Sequence, residues 1–189
     1  GGDTTKGPLS ITIQVTGACD TPLRRDGACA GDTIFVSNKL GAAAAGLPIV
    51  LEEFDPSVQQ RQQAEDAYYF PEPQFQVARA IGCYASAALD ISDGFLADLG
   101  HICSSSNLGA QVELDRFPVA DLAHSMSGES EEVALETALT GGDDYQLCFT
   151  VPEKHLAAVQ QLQLPVTAVG HLLSETGICC RLHGRAWQP

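Results

Sequence analysis

The alternation of apolar and polar residues, together with short apolar runs, predicts the strands of this chain. Residues 9–17 alternate cleanly, which is typical of a strand with one exposed face. Residues 33–37 are apolar enough to predict a short buried strand. Strands are predicted in all over 9–17, 33–37, 85–91, 109–115, 145–151, 166–172 and 178–184.

Apolar residues at helical spacing predict helices between these strands. Helices are predicted over 40–47, 57–69, 75–84, 93–103, 131–139 and 153–163. The first of them should end or kink near Pro48, because proline lacks a backbone donor. Alternating strands and helices predict an α/β (α+β) fold, a layered sandwich with a mixed sheet flanked by helices.

Length and composition suit one domain, or one domain and part of another. The chain has 189 residues, of which 44% are hydrophobic. Residues 18–32 form a polar stretch with proline and glycine, which is typical of a connection between domains. We therefore predict that residues 1–20 end a preceding domain and that residues 21–189 form a second one.

Charge and cysteine usage exclude several partners. Acidic residues outnumber basic ones 24 to 10, for a net charge of −14, so a nucleic-acid backbone is not an expected partner. The same charge would repel a phosphorylated substrate unless divalent cations mediate. No apolar run is long enough for a membrane span. The seven cysteines include no C-x-x-C pair, so we expect core residues in a reducing compartment and no structural zinc.

The segment ALDISDGFLADL, residues 88–99, places aspartates in an otherwise apolar stretch. Asp90 comes at the end of a predicted strand, and Ser92 and Asp93 come where the next helix begins. Carboxylates at strand ends can hold Mg²⁺, which prefers hard oxygen ligands. The alternative is that Ser92 and Asp93 only cap the helix. Asp98 falls on the polar side of that helix and is expected to be solvated.

A second acidic turn, GGDDYQL, spans residues 141–147. Its two glycines are explained by the end of a helix. The end of a helix does not explain why two aspartates, Asp143 and Asp144, stand side by side. Adjacent carboxylates repel each other. A cation or a cationic ligand would relieve the repulsion, and the residues alone leave both interpretations open.

A third turn, GGDTT, opens the chain at residues 1–5 and repeats the Gly-Gly-Asp pattern. Two basic residues, Arg24 and Arg25, follow it in a chain that has few. A guanidinium group can bind phosphate through two parallel hydrogen bonds. The alternative is that both arginines belong to an ordinary polar surface.

Three segments together resemble the thiamine-monophosphate kinase family of the aminoimidazole-ribonucleotide-synthetase superfamily. They are GGDTTKGPLSITIQVTG, LDISDGFLADLGHI and LTGGDDYQLCFTVP. The resemblance implies the C-terminal domain of that fold and transfer of the γ-phosphoryl group of ATP to thiamine monophosphate, with several Mg²⁺ ions. It also implies a cytoplasmic enzyme that is a homodimer at full length.

The resemblance further implies roles for particular residues. They are nucleotide binding for Gly2, Asp3, Arg25 and Ser92, metal binding for Asp3, Asp90 and Asp93, and substrate binding for Asp143.

Two departures from the family pattern affect these expectations. Asp143 and Gln146 stand where the family carries glutamates, and Asp143 is one methylene shorter. The resemblance also makes residues 1–20 the last strand of a largely missing N-terminal ATP-binding domain, so we expect the chain alone to be inactive.

Two other hypotheses remain. One is another ATP- and Mg²⁺-dependent member of the superfamily, such as a purine-pathway synthetase, a selenophosphate synthetase or a hydrogenase-maturation protein. The other is a non-catalytic binding domain.

Overall fold

The computed structural model describes residue 7, residues 12–128 and residues 130–188. Within these described ranges, seven strands form one mixed sheet with helices against both of its faces, which confirms the predicted α/β sandwich. Gly2 and Asp3 lie outside the described residues, so their predicted roles stay predictions.

The sheet has the strand order β2-β4-β1-β5-β3-β6-β7. β3 and β6 run parallel, and each of the other neighbouring pairs is antiparallel. The strands are β1 (Thr33–Ser37), β2 (Ala87–Ile91), β3 (Gly109–Glu113), β4 (Gln146–Val151), β5 (Val166–Leu173), β6 (Gly177–Leu182) and β7 (Arg185–Trp187).

Seven helices are present in the described part of the chain, and most agree with the predicted ones. Each begins and ends within a few residues of the expected bounds, except α5, which the sequence pattern did not predict. The helices are α1 (Ala42–Val50), α2 (Val58–Tyr69), α3 (Phe75–Ile81), α4 (Phe95–Ser106), α5 (Asp121–Met126), α6 (Glu131–Thr140) and α7 (Glu153–Gln161).

Both faces of the sheet are buried, as the apolar run in β1 predicts. Ile34 and Val36 point to the larger core, which contains the apolar sides of α4 and α6. Phe35 points to the opposite face and stacks on Phe149, with ring centroids 5.4 Å apart. The cysteines are less uniformly buried than expected. Only Cys103, Cys148 and Cys180 are in the core, and Cys19, Cys29, Cys83 and Cys179 are exposed.

The first helix ends near Pro48, as predicted, although the proline itself lies inside the last turn of the helix. α1 contains Pro48 and continues to Val50. The amide of Leu51 still donates to the carbonyl of Leu47, at 2.9 Å. Proline lacks a backbone donor, and its ring crowds the carbonyl of the residue four positions before it. Burial of the flanking Ile49 nevertheless stabilises the last turn.

The strand predicted over 9–17 falls partly outside the described residues. Its described part, residues 12–17, belongs to no strand and is exposed throughout, with Ile13 78% and Val15 90% accessible. The alternating pattern is present, but no described strand lies beside it to accept its backbone hydrogen bonds.

Pairing between β2 and β4 determines where the acidic segments meet. The two strands are antiparallel, with Asp90 opposite Leu147 and Ile91 opposite Gln146. The end of β2 and the start of β4 are therefore neighbours at one end of the sheet. The turns that carry the first two acidic motifs lie together there.

Candidate functional site

Two backbone hydrogen bonds join the turn after β2 to the turn before β4. The amide of Asp143 donates to the carbonyl of Ser92 at 3.0 Å, and the amide of Tyr145 donates to the carbonyl of Ile91 at 2.9 Å. Motifs that lie about fifty residues apart in sequence thus form a single site.

Glycines permit this close approach. A Cβ atom on Gly142 would lie 2.3 Å from the carbonyl oxygen of Ser92. A Cβ atom on Gly94 would lie 2.6 Å from the carbonyl oxygen of Thr140, and Gly94 also has a φ of +113°. Backbone meets backbone at both points, so neither position tolerates a side chain without movement of a turn.

The interpretation of Ser92 and Asp93 as helix caps was wrong. The residue at the N-cap of α4 is Gly94, and no side chain caps that end of the helix. Ser92 is half-buried and Asp93 is exposed, both just before the cap. Their side chains are therefore available for another role.

Asp98 was expected to be solvated and is instead buried, with 4% of its surface accessible. Its Oδ2 atom accepts hydrogen bonds from the amides of Ser92, at 2.9 Å, and Asp93, at 3.0 Å. A side chain in the first turn that reaches back to amides before the helix resembles half of a capping box. The periodicity of α4 indicated its polar side but could not reveal this partner.

Asp90, Asp93 and Asp143 are exposed, and their negative charges all act on the hydroxyl group of Tyr145. The negative charge of Asp143 raises the pKa of Tyr145 above its usual value. Partial burial, the hydrogen bond to Asp143 and the charges of Asp90 and Asp93 raise the pKa further. The tyrosine hydroxyl donates to Asp143 Oδ1 at 3.3 Å. Asp90 and Tyr145 line a common cavity. Among the described residues, no group of three metal-ligand atoms within 4.8 Å of one another includes Asp90 or Asp143.

Arg25 and Asp90 line a common cavity of about 560 Å³. The neighbouring Arg24 donates two hydrogen bonds to Asp26, at 2.9 and 2.5 Å, and is occupied by that pair. Arg25 has no ion-pair partner among the described residues. A carboxylate and a guanidinium group without an ion-pair partner among the described residues therefore line the same cavity.

Two hydrogen bonds to backbone carbonyls hold the segment that carries Arg25. The amide of Ala88 in β2 donates to the carbonyl of Arg24 at 3.1 Å. The hydroxyl of Ser106, at the end of α4, donates to the carbonyl of Arg25 at 3.3 Å.

Asp143 and Asp144 do not form the shared cation site that their adjacency suggested. Asp144 turns inward, is 8% exposed, and accepts from the amide of Gly41 at 2.7 Å and from that of Ala43 at 3.5 Å. It therefore stabilises the start of α1. Desolvation outweighs these hydrogen bonds and raises the pKa of Asp144 to about 6.

Gln146, one of the departures from the family pattern, also has a structural role. Its Oε1 atom accepts from the hydroxyl of Ser37 at 2.8 Å and from the side-chain Nδ2 of Asn38 at 2.9 Å. Ser37 in turn accepts from the amide of Leu147, at 2.9 Å. The side chain of Gln146 thus joins β1 to β4 and is not part of the acidic cluster.

The structure adds one residue that the sequence reasoning set aside. His101 lies one turn after Asp98 on α4, and ligand atoms of Asp93, Asp98 and His101 fall within 4.8 Å of one another. The spacing between Asp98 and His101 was the available signal, because residues three apart share a helix face.

The chain matches a known domain family and several known proteins. Residues 30–179 match the C-terminal domain of AIR synthase related proteins. The thiamine-monophosphate kinase of Escherichia coli strain K12 is 40% identical over 192 residues, a match that covers 95% of this chain and 57% of the relative. These matches confirm the resemblance predicted from the three sequence motifs.

Two solved structures extend the comparison. The crystal structure of thiamine-monophosphate kinase from Stenotrophomonas maltophilia K279a has a TM-score of 0.76 and 33% identity, over 89% of this chain and 55% of that one. AaThiL complexed with AMPPCP and TMP has a TM-score of 0.74 and 29% identity, over 88% and 52%. The chain spans about half the length of the curated relatives it matches.

Proposed function

Because this chain belongs to the AIR synthase related proteins, whose C-terminal domain it contains, we propose that it is the C-terminal part of a thiamine-monophosphate kinase. The enzyme would transfer the γ-phosphoryl group of ATP to thiamine monophosphate, giving thiamine diphosphate and ADP. The observation that carries the proposal is the contact between the turns at Ser92 and Asp143, which gathers three exposed carboxylates at one end of the sheet.

The donor set fits Mg²⁺. Asp90 and Asp93 offer exposed carboxylate oxygens that no helix cap uses, and hard oxygen ligands are what Mg²⁺ prefers. When bound, Mg²⁺ neutralises phosphate charge in phosphoryl transfer. Asp3 is proposed as a further ligand from the family resemblance.

No described helix combines the length and apolarity needed to span a membrane.

Arg25 and Ser92 are the proposed contacts to ATP, with Gly2 and Asp3 beside them. Arg25 lines the same cavity as Asp90, so its guanidinium group can hold a phosphate oxygen while the carboxylate holds the metal. Phosphoryl transfer depends mainly on such positioning and charge neutralisation. An oxygen of the monophosphate attacks the γ-phosphorus of ATP. The bond between the γ-phosphorus and the oxygen that bridges it to the β-phosphorus breaks, and that oxygen leaves with ADP.

Asp143 is the proposed substrate contact. It has a φ of +64°, a conformation that its hydrogen bonds to Ser92 and Tyr145 maintain. A carboxylate fixed at this point attracts the positively charged ring of thiamine. The hydroxyl of Tyr145 orients that carboxylate through its hydrogen bond to Oδ1.

The activity test uses the full-length protein, including any residues encoded before Gly1 and after Pro189. We expect ATP-dependent formation of thiamine diphosphate, measured by chromatography, and no turnover by residues 1–189 alone. Asp90→Asn should lower kcat/KM by at least about 100-fold, since even residues behind a metal ligand are worth 10–100-fold. The matched control is Asp121→Asn, because Asp121 is also exposed but pairs with Lys39.

The outcomes separate the hypotheses. ADP formation with a different acceptor would point to another member of the superfamily. If calorimetry detects no binding of Mg²⁺ or ATP to the full-length protein, the chain is a non-catalytic domain and the proposal is wrong. We further propose a cytoplasmic homodimer for the full-length protein, and a monomeric mass in light scattering would contradict that part.

A further inference from the structure

We infer that an apolar pocket beside Tyr145 holds the positively charged thiazolium ring of the phosphate acceptor, with Phe75 as an aromatic wall of that subsite. The inference rests on the proposed function, because it takes thiamine monophosphate as the acceptor. The Phe75 pocket is formed mainly by Pro71, Pro73, Phe75, Ala78, Tyr145 and Leu147.

The first observation concerns the size and chemistry of the Phe75 pocket. Its volume is about 440 Å³, which is within the usual range for pockets that bind small molecules. Its walls are mostly apolar, and two of them are the side chains of Phe75, 72% exposed, and Tyr145, 42% exposed. Exposed aromatic rings attract cations as well as apolar surface. The pocket therefore suits a planar ring that carries a positive charge.

The second observation is that the walls of the pocket are held in place. The amide of Phe75 donates to the carbonyl of Pro73 at 2.9 Å, and Val77 and Ile81 anchor α3 in the core. Tyr145 has a φ of +51°, which a bulky residue adopts only where the surrounding structure maintains it. A pocket formed before the ligand arrives lowers the entropic cost of binding.

The third observation concerns charge at the mouth of the pocket. The hydroxyl of Tyr145 donates to Asp143 Oδ1 at 3.3 Å, so a carboxylate lies beside the aromatic wall. Among the described residues that line the pocket, none is basic. Mg²⁺ bound at Asp90 would take up the charge of that residue, which leaves Asp143 as the counter-charge for the ring. A cationic ring is therefore favoured over a neutral one of the same size.

The fourth observation favours the ring of the acceptor over the adenine of ATP. Asp90 lines both the Phe75 pocket and the cavity that Arg25 lines, so a phosphate group held there lies at the mouth of the pocket. In thiamine monophosphate, a short ethyl ester joins the thiazolium ring to the phosphate group. In ATP, the ribose and the α- and β-phosphates separate adenine from the γ-phosphorus. The ring beside the transferred group is therefore that of the acceptor.

The test uses the full-length protein and two phosphate monoesters, thiamine monophosphate with its cationic ring and AMP with its neutral one. Phe75→Ala removes the aromatic wall, whereas Phe75→Leu keeps an apolar side chain without an aromatic face. Because Phe75 is exposed, neither substitution should impair folding.

Calorimetry in the presence of Mg²⁺ measures binding of each probe. We expect the Kd for thiamine monophosphate to rise about 10-fold in Phe75→Ala and about two- to fivefold in Phe75→Leu. The Kd for AMP should stay within about twofold of the wild-type value, since its neutral ring does not depend on the aromatic wall. In turnover, the KM for thiamine monophosphate should rise by the same factors, while kcat and the KM for ATP stay within about twofold.

The matched control is Phe70→Ala. Phe70 is 75% exposed, much like Phe75, but it lines a neighbouring cavity of about 430 Å³ together with Asp144 and Gln146. Its substitution should leave the Kd for thiamine monophosphate within about twofold. A larger effect of Phe70→Ala than of Phe75→Ala would place the ring in that neighbouring cavity and overturn the inference. So would equal weakening of AMP and thiamine monophosphate by Phe75→Ala.

The results separate the inference from the proposed function. If the wild type forms thiamine diphosphate but Phe75→Ala changes neither the Kd nor the KM for thiamine monophosphate, only the inference is wrong. If the wild type binds thiamine monophosphate without forming thiamine diphosphate, the proposed function is wrong, and the Kd values of the Phe75 variants still test the pocket. A wild-type protein that does not bind thiamine monophosphate contradicts both.

Discussion

Gly142→Ala tests whether contact between the two acidic turns is required for activity. The new Cβ atom would lie 2.3 Å from the carbonyl oxygen of Ser92 and 3.2 Å from its carbonyl carbon. Nonbonded carbon contacts are comfortable at about 3.5 Å or more, so the turns must separate by about 1 Å. Both groups in this clash are backbone, and no rotamer change can relieve it.

The structure sets the expected size of the effect. Separation by about 1 Å breaks the hydrogen bond from Asp143 to Ser92, which is worth about 1 kcal/mol. Overpacking adds about 1–3 kcal/mol, so the free energy of unfolding should fall by about 2–4 kcal/mol. Displacing Asp93 relative to Asp143 by about 1 Å should lower kcat/KM by about 100-fold.

Urea denaturation followed by circular dichroism measures the first effect, and formation of thiamine diphosphate by the full-length protein measures the second. The matched control is Gly100→Ala in α4, where the nearest atom to the new Cβ is Ile178 Cδ1, at 4.0 Å. That variant should be as stable as the wild type or about 1 kcal/mol more stable. Wild-type stability and turnover in Gly142→Ala would refute the claim that contact between the turns builds the site.

The remaining predictions concern charge. The pKa of Asp144 is about 6 in the folded protein against 3.8 normally. Its contribution to the free energy of unfolding is therefore fully present below about pH 4. That contribution, about 3 kcal/mol, is lost as the pH rises through 6. The difference in unfolding free energy between wild type and Asp144→Asn, from urea denaturation, should change by that amount between pH 4 and pH 7. Arg25→Ala should raise the KM for ATP by about 10-fold or more, since a charge-assisted hydrogen bond is worth about 1.5–3 kcal/mol. Arg24→Ala should leave KM within about twofold, because Arg24 is paired with Asp26.

Two results would contradict these predictions. If the stability difference between wild type and Asp144→Asn does not vary with pH, desolvation does not dominate at Asp144. Equal effects of Arg24→Ala and Arg25→Ala on the KM for ATP would mean that the pair with Asp26 does not distinguish the arginines.

Elements with strong local patterns could be predicted from sequence. β1 was predictable because its residues are apolar on both faces, and α4 because its apolar residues recur at helical spacing. The location of Asp90, Asp93 and Asp143 at one end of the sheet was predictable. Carboxylates that follow strands and precede helices often gather at one edge of a sheet.

What the sequence could not reveal depends on partners that are distant or specific to this packing. The carboxylate of Asp144 accepts a hydrogen bond from Gly41, about a hundred residues earlier in the sequence. The residues next to Asp144 in the sequence therefore do not indicate that it is buried. Asp98 has nearby partners, but its residue type alone cannot tell a buried acceptor from a solvated charge. Pro48 stays within α1 because tertiary packing overrides its local preference.

The bond between Ala88 and the carbonyl of Arg24 occupies an outward-facing donor of β2, the terminal strand of the sheet. An unoccupied strand edge invites association with other chains, and here an arginine-bearing segment blocks part of it. A mutation that frees this segment would therefore do two things at once. It would detach Arg25 from the cavity that it shares with Asp90, and it would leave a strand edge prone to aggregation. Lost activity and lower solubility should therefore appear together.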